Sequence, residues 1–272
     1  GGHSDVKIRF RYYSCNTVHA ADAGCDYAWQ IDDLAFTTLP DYEVQMNYAY
    51  NSTTGQGEEY GRIPRSQLPA ALNVGAEIFN LGLSTLGDAA VQVEYKDASG
   101  TVVPGLSTTI ALAPIVSEDT VVADANVTFP TDLANGVYRG TFSILGDNIA
   151  LDHDTTNNKQ ERNFEITENI YSVDAIGNYP VGAEALLQLG TATWEDNSSV
   201  YYMNMYDINT PTYATAITVR LAPATVAGSA ATIEAMLFDT ASITVLPSSI
   251  ATPIQGIVSD LHTITAADIT AG

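Results

Sequence analysis

Positive charge is what this sequence has least of. Ten Lys and Arg residues stand against 32 Asp and Glu in 272 residues, a formal net charge of -22. Binding nucleic acid or an anionic membrane needs a basic patch, so this balance excludes both as partners. It is compatible with calcium, with salty surroundings, or with solubility alone. No apolar run approaches the length of a membrane span, so no membrane insertion is expected. No long stretch holds a helical period either, which excludes an α-helical core. Histidine is sparse: His3, His19, His153 and His262 are far apart and none forms HExxH. There is no G-x-S-x-G elbow, since GLSTLG (82–87) has the wrong spacing. No glycine-rich phosphate loop follows a strand. Acidic pairs such as Glu58-Glu59 and Glu195-Asp196 could be drawn as glycosidase carboxylates, but among 32 acids such pairs arise by chance. No catalytic residue and no organic cofactor is expected in this chain.

Cysteine is nearly absent too. Cys15 and Cys25 bracket one polar loop, SCNTVHAADAGC. Two cysteines flanking a loop between strands point to a disulfide and an oxidising, extracellular compartment. In the chain-entropy model such a short loop is worth ~2–3 kcal/mol. The alternatives are free thiols in a cytosolic protein, or a metal site lacking CxxC spacing with His19 as the only other soft ligand nearby.

What is present is alternation with period two. Val6, Ile8, Phe10 and Tyr12 form one face, with Lys7, Arg9 and Arg11 on the other, and YAWQIDDLAF (27–36) is apolar on both faces. These two strands are too small to fold alone. They read as the closing hairpin of a module, over residues 1–40, whose earlier part is absent. The start, GGHSDVKIRF, lacks an initiator Met and a signal-peptide core, as in a mature or trimmed product. Residues 41–168 read as one sandwich, with strands over 43–50, 73–80, 88–96, 106–112, 120–129, 136–145 and 161–167. Between them lie STTGQGEE, DASG, TDLANG and DHDTTNN, all rich in turn formers. Seven short strands in such a span predict an Ig-like β-sandwich, without the Cys–Trp–Cys core of antibody domains. Residues 169–272 read as a further, incomplete jelly-roll-like sandwich, with strands over 184–189, 199–206, 214–221, 230–238 and 243–246. Basic residues thin out in step with these modules: beyond Asn163 only Arg220 remains. The predicted fold class is therefore all-β, as tandem antiparallel β-sandwiches.

Short motifs add a resemblance. The Ile31-Asp32-Asp33 strand with its preceding aromatic resembles the close of MAM-like jelly rolls and of "choice-of-anchor" modules in secreted Bacteroidetes proteins. Ile78-Phe79-Asn80-Leu81-Gly82, the acidic turn 154–158 and Phe164–Thr167 resemble the I-x-N-x-G strand, Asn-Asn turn and F-x-[IV]-T strand of CARDB-type, cell-adhesion-related modules. The step into ENIYSVD (168–174) is similar to entry into a further jelly roll in proteins exported by the type IX system. The resemblance implies a secreted or cell-surface, multi-module bacterial protein.

Four groups of residues stand out as candidate sites. Asp32 and Asp33 lie in an otherwise apolar strand, where a carboxylate needs hydrogen bonds or a cation. They could contribute to a structural calcium site with loop oxygens, or cap loop amides at the sheet end. Asp152, Asp154, Asn157 and Asn158 form a second oxygen-rich loop, which lacks a DxDxDG pattern and is better explained by Asx turns. Trp194, Tyr201, Tyr202 and Tyr206 could stack on glycans, although strand periodicity puts Tyr201 opposite the other two tyrosines and favours core packing. Thr120, Thr155 and Thr240 each follow an Asp in a motif resembling Bacteroidetes O-glycosylation acceptors. The function expected is a non-catalytic section of a secreted or surface protein, serving adhesion, surface structure or assembly. Its partners would be other modules of the same parent, glycans, or neighbouring copies completing each other's sandwiches head to tail. The alternative is a set of accessory or carbohydrate-binding modules of a secreted peptidase or glycanase whose catalytic domain lies outside this chain.

Overall fold

A computed structural model describes residues 38–52, 61–173, 203–222, 225–228, 231–238, 243–245, 249–250 and 258–271. The chain divides into two compact units, Gly1–Pro40 and Asp41–Gly272. The predicted N-terminal hairpin lies outside the described residues, as does the strand expected at 184–189.

Two sheets face each other in the second unit. The first runs β1 (Val44–Ser52), β3 (Ala71–Asn80), β6 (Thr120–Thr128), antiparallel throughout. The second contains β2 (Arg62–Pro64), β4 (Ala90–Lys96), β5 (Thr108–Ala111), β7 (Gly136–Leu145) and β8 (Lys159–Thr167), in the order β2-β8-β7-β4-β5. Alternation decides which face each strand buries. In β4, Val91, Val93 and Tyr95 turn inward while Gln92 and Lys96 stay exposed. In β7, Tyr138, Phe142 and Ile144 are buried and Arg139 is exposed, as the VYRGTFSIL pattern predicts. From the facing sheet, Leu72, Val74, Ala76 and Ile78 of β3 complete the core, all fully buried.

All seven strands expected between residues 41 and 168 are present, together with one that was not expected. β2 spans only Arg62-Ile63-Pro64, too short to show alternation, and its proline reads as a breaker. A sheet edge tolerates that proline. β2 pairs in parallel with β8, whereas β1 belongs to the opposite sheet, so the chain changes sheets between Ser52 and Arg62. In β7 the Tyr138 hydroxyl donates to the Ala134 carbonyl (2.8 Å), closing a tyrosine corner. Sheet change, strand order and corner together make this an immunoglobulin-like sandwich.

Two motif residues have plain structural roles. Asn80, 2% exposed, takes the place of a backbone partner where β3 ends. Its amide donates to the carbonyls of Ser84 and Ile115 (2.9 and 2.8 Å) and accepts from Gly82 N–H (3.0 Å). At the end of β8, the Thr167 hydroxyl donates to the Ile170 carbonyl (2.6 Å) and accepts its N–H (3.0 Å), turning the chain toward Tyr171.

The two edges of the first sheet are treated differently. Along β1, which carries a bulge between Met46 and Tyr48, side chains from β8 occupy the free edge. Gln160 accepts from Ala49 N–H (3.0 Å) and donates to the Met46 carbonyl (2.7 Å), and Arg162 donates to the Ala49 carbonyl. Backbone groups so engaged cannot template another strand. Among the described residues, β6 has no comparable cover on its outer edge.

Beyond residue 203 the regular elements are short. β9 (Thr232–Ile233) pairs with β12 (His262–Thr263), β10 (Ile243–Val245) pairs with β11 (Ser249–Ile250), and α1 covers Ala266–Ala271. The strand expected over 214–221 is not formed, nor is the described part of 199–206 (203–206). The alternation there is real, but it specifies only a face to bury. A strand also needs a ladder partner, and none of the described residues supplies one.

Candidate functional site

The acidic loop after β7 shows what its oxygens do. Glu43, just before β1, is 6% exposed; it accepts from Asp154 N–H (3.0 Å) and from the Asn157 side-chain amide (2.9 Å). Asp152 accepts from the Asn158 amide (2.7 Å) and from Asp154 N–H (3.3 Å), and the Asp154 carboxylate accepts both the hydroxyl and the N–H of Thr156 (2.6 and 3.0 Å). The Thr156 hydroxyl, then its amide, hold the Asp154 carboxyl below the usual carboxylate range, with neighbouring His153 adding to them. These are turn and cap bonds that tie the loop to the start of β1. Among the described residues no group of three His, Cys, Asp or Glu side chains is arranged to hold a metal ion.

A second constellation lies between β2 and β3. Arg65–Gln67 forms one 3-10 turn, with Arg65 and Ser66 exposed and Gln67 only 2% exposed. The Gln67 side chain is directed at the chain more than 140 residues further on. Its carbonyl oxygen accepts from the N–H groups of Asn209 (2.9 Å) and Thr210 (3.1 Å), and its amide donates to the Thr210 carbonyl (2.9 Å). In return the Asn209 side chain donates to the Gln67 backbone carbonyl (2.8 Å). A primary amide offers a donor beside an acceptor, which matches the N–H and C=O of an extended peptide.

Tyr171 completes the clamp. Ser172 exchanges backbone hydrogen bonds with Arg62 (2.9 Å each way), which fixes Tyr171 beside β2. Its ring meets that of Tyr206 at 4.8 Å between centroids, and its hydroxyl donates to the Asp207 carbonyl (3.1 Å). Burial first, then the Asp207 charge and Tyr206, push the Tyr171 hydroxyl up to about 12. It therefore remains a protonated donor throughout the neutral range.

Most of the sites expected from sequence lie outside the described residues. Asp32, Asp33, Cys15, Cys25 and Thr240 lie outside the described residues, as do Trp194, Tyr201 and Tyr202. Thr120 is exposed at the start of β6, and Thr155 is exposed in the acidic loop. Tyr206 is no part of a strand; its ring faces Tyr171.

No family model matches the chain, and no curated protein sequence matches it. Among solved structures, the chain is similar to the CARDB domain of a Pyrococcus furiosus protein in complex with di-metal ions. That match has 16% identity and a TM-score of 0.33, and covers 51% of this chain and 100% of that one. An immunoglobulin-like protein from Pseudomonas aeruginosa matches at 12% identity and TM-score 0.28, over 47% of this chain and 98% of that one. A family 123 glycoside hydrolase from Clostridium perfringens matches at 10% identity and TM-score 0.31, over 47% of this chain and 28% of that one. Likeness at this level carries nothing about metals, substrates or partners.

Glu43 and Gln67 are the functional side chains that sequence reasoning missed. Neither belongs to a motif, and their partners lie 111 to 143 residues away. The one available hint is that SQLP (66–69), an uncharged polar pair ahead of a proline, is unlike the other, glycine- and Asp-rich connections.

Proposed function

We propose that this chain is a non-catalytic section of a large secreted or cell-surface bacterial protein, serving adhesion, surface structure or assembly. In it the immunoglobulin-like sandwich acts as a mounting block for the chain that follows. The observation supporting this reading is the Gln67 clamp, a buried side chain spent on holding backbone from beyond the module. The parent would be a Bacteroidetes protein exported by the type IX route, as the motif resemblance implies. The acidic balance of 32 acids to ten bases fits an extracellular setting. No described helix is long and apolar enough to cross a membrane.

The clamp makes the reading testable. Gln67→Ala removes three of the four hydrogen bonds to Asn209 and Thr210, each worth about 0.5–1.5 kcal/mol net. Hydrogen exchange at Asn209 and Thr210 is expected to accelerate by roughly tenfold or more, while β3, β4 and β7 keep their protection. Unchanged exchange at the two amides would remove the support for a mounting role. Loss of protection throughout the sandwich would show that Gln67 serves the module itself.

A further inference from the structure

We infer that Tyr213–Leu221 adds as a strand to the open β6 edge of a second copy of this chain, building a head-to-tail assembly. Two surfaces without a strand partner among the described residues point to each other. The first is the edge. β6 is nine residues long and contains no Lys, Arg, Pro or Gly; its one charge, Asp124, already accepts from the Tyr50 hydroxyl and the Asn73 amide (2.8 Å each). Of the devices that keep edges from pairing, β1 has a bulge and side-chain cover, and among the described residues β6 has neither. Val122, 38% exposed, adds an apolar side chain to that strand.

The second surface is the segment following the clamp. It reads Tyr-Ala-Thr-Ala-Ile-Thr-Val-Arg-Leu, with Tyr213, Thr215, Ile217, Val219 and Leu221 on one side of an extended chain and Ala214, Ala216, Thr218 and Arg220 on the other. Tyr213 is 92% exposed, Ile217 51% and Val219 48%, so none of the three is packed away among the described residues. Laid along β6, the apolar side would extend the row Val121, Ala123, Ala125 and Val127. The other side would bring Arg220 to the face that carries Asp124. The charges also match. Arg220 is the sole charge of the segment, while Glu118, Asp119 and Asp124 are the only charges on the edge.

A contact between two different surfaces is heterologous and propagates. The inference rests on the mounting role, because the clamp at Asn209–Thr210 is what presents the segment. Failure of that role would appear as unchanged exchange at those two amides in Gln67→Ala, independently of any association.

Sedimentation velocity on the full chain tests the inference. The wild type is expected to form dimers and larger oligomers as concentration rises. Association should strengthen when salt is raised from about 0.01 M to about 0.15 M, because the shared negative charge is then screened. Thr218→Pro, in the exposed segment, should shift association to at least roughly tenfold higher concentration by removing a ladder donor, and Val122→Lys on the edge should do the same. Mixed together, the two variants should form a dimer that grows no further, since one keeps its edge and the other its segment. A wild type that stays monomeric would overturn the proposal, as would association that survives Thr218→Pro. So would a mixture that does not dimerise, a wild type that stops at a symmetric dimer, or a monomer with β6 and 213–221 both protected from exchange.

Discussion

Phe164→Ala is expected to destabilise the sandwich by about 3–5 kcal/mol, the range for removing a large aromatic from a core. Phe164 is fully buried and touches three other aromatic rings. It stacks on Tyr138 (5.2 Å, 12°) and meets Tyr95 (5.5 Å, 62°) and Phe129 (5.9 Å, 89°) edge-on. These rings come from four segments, Tyr95, Tyr138 and Phe164 from the second sheet and Phe129 from just after β6 of the first, so the cavity cannot be closed by moving one of them. Tyr138 is held at its hydroxyl by Ala134, and Tyr95 by the Asn51 amide (3.1 Å), which limits collapse further. Urea denaturation followed by circular dichroism reads the loss as a lower midpoint at unchanged slope. Tyr138→Phe, which removes only the corner hydrogen bond, should cost about 0.5–1.5 kcal/mol. If Phe164→Ala cost no more than Tyr138→Phe, the aromatic cluster would not be the centre of the core.

How much of this could be read from residues alone depended on the range of the interaction. Phe164 and Ile166 announce themselves in an alternating strand, as do Val91, Val93 and Tyr95 of β4, because burial in a sheet imposes period two on neighbours in sequence. Asp154 was legible as a turn residue for a similar reason: its partner, Thr156, is two residues away. Gln67, Glu43 and the β1-covering pair Gln160 and Arg162 were not legible. Each is a polar residue whose meaning lies in a partner more than a hundred positions distant, and no local pattern encodes that distance. Ile63 and Pro64 failed for lack of length, since three residues cannot display a period. Tyr213–Leu221 shows the opposite error. Its pattern is that of a strand, but a pattern states only what a segment is able to pair with.

Gly75→Ala is the second large effect, and it tests why the first sheet needs a glycine in the middle of its central strand. Tyr50 of β1, Gly75 of β3 and Asp124 of β6 are in register across the three strands. The Tyr50 ring passes over Gly75 to reach the Asp124 carboxylate, so a Cβ at position 75 would collide with the Tyr50 hydroxyl and also with the backbone carbonyl of Ala123. In an unobstructed strand, alanine would be the better residue, since glycine there is worth roughly 0.5–1 kcal/mol less. Here the collision should reverse that sign and cost about 1–3 kcal/mol, the usual range for overpacking. The Tyr50 ring can swing aside at the expense of its hydrogen bond to Asp124, but the Ala123 carbonyl belongs to the neighbouring strand and cannot. Gly75→Ala combined with Tyr50→Ala should therefore retain part of the penalty relative to Tyr50→Ala alone. Denaturation midpoints of the four chains give that coupling directly. If the penalty vanished completely without Tyr50, the ring alone would dictate the glycine. If part of it persists, the close approach of β3 to β6 demands glycine as well, and the spacing that sets the open β6 edge is built into the central strand.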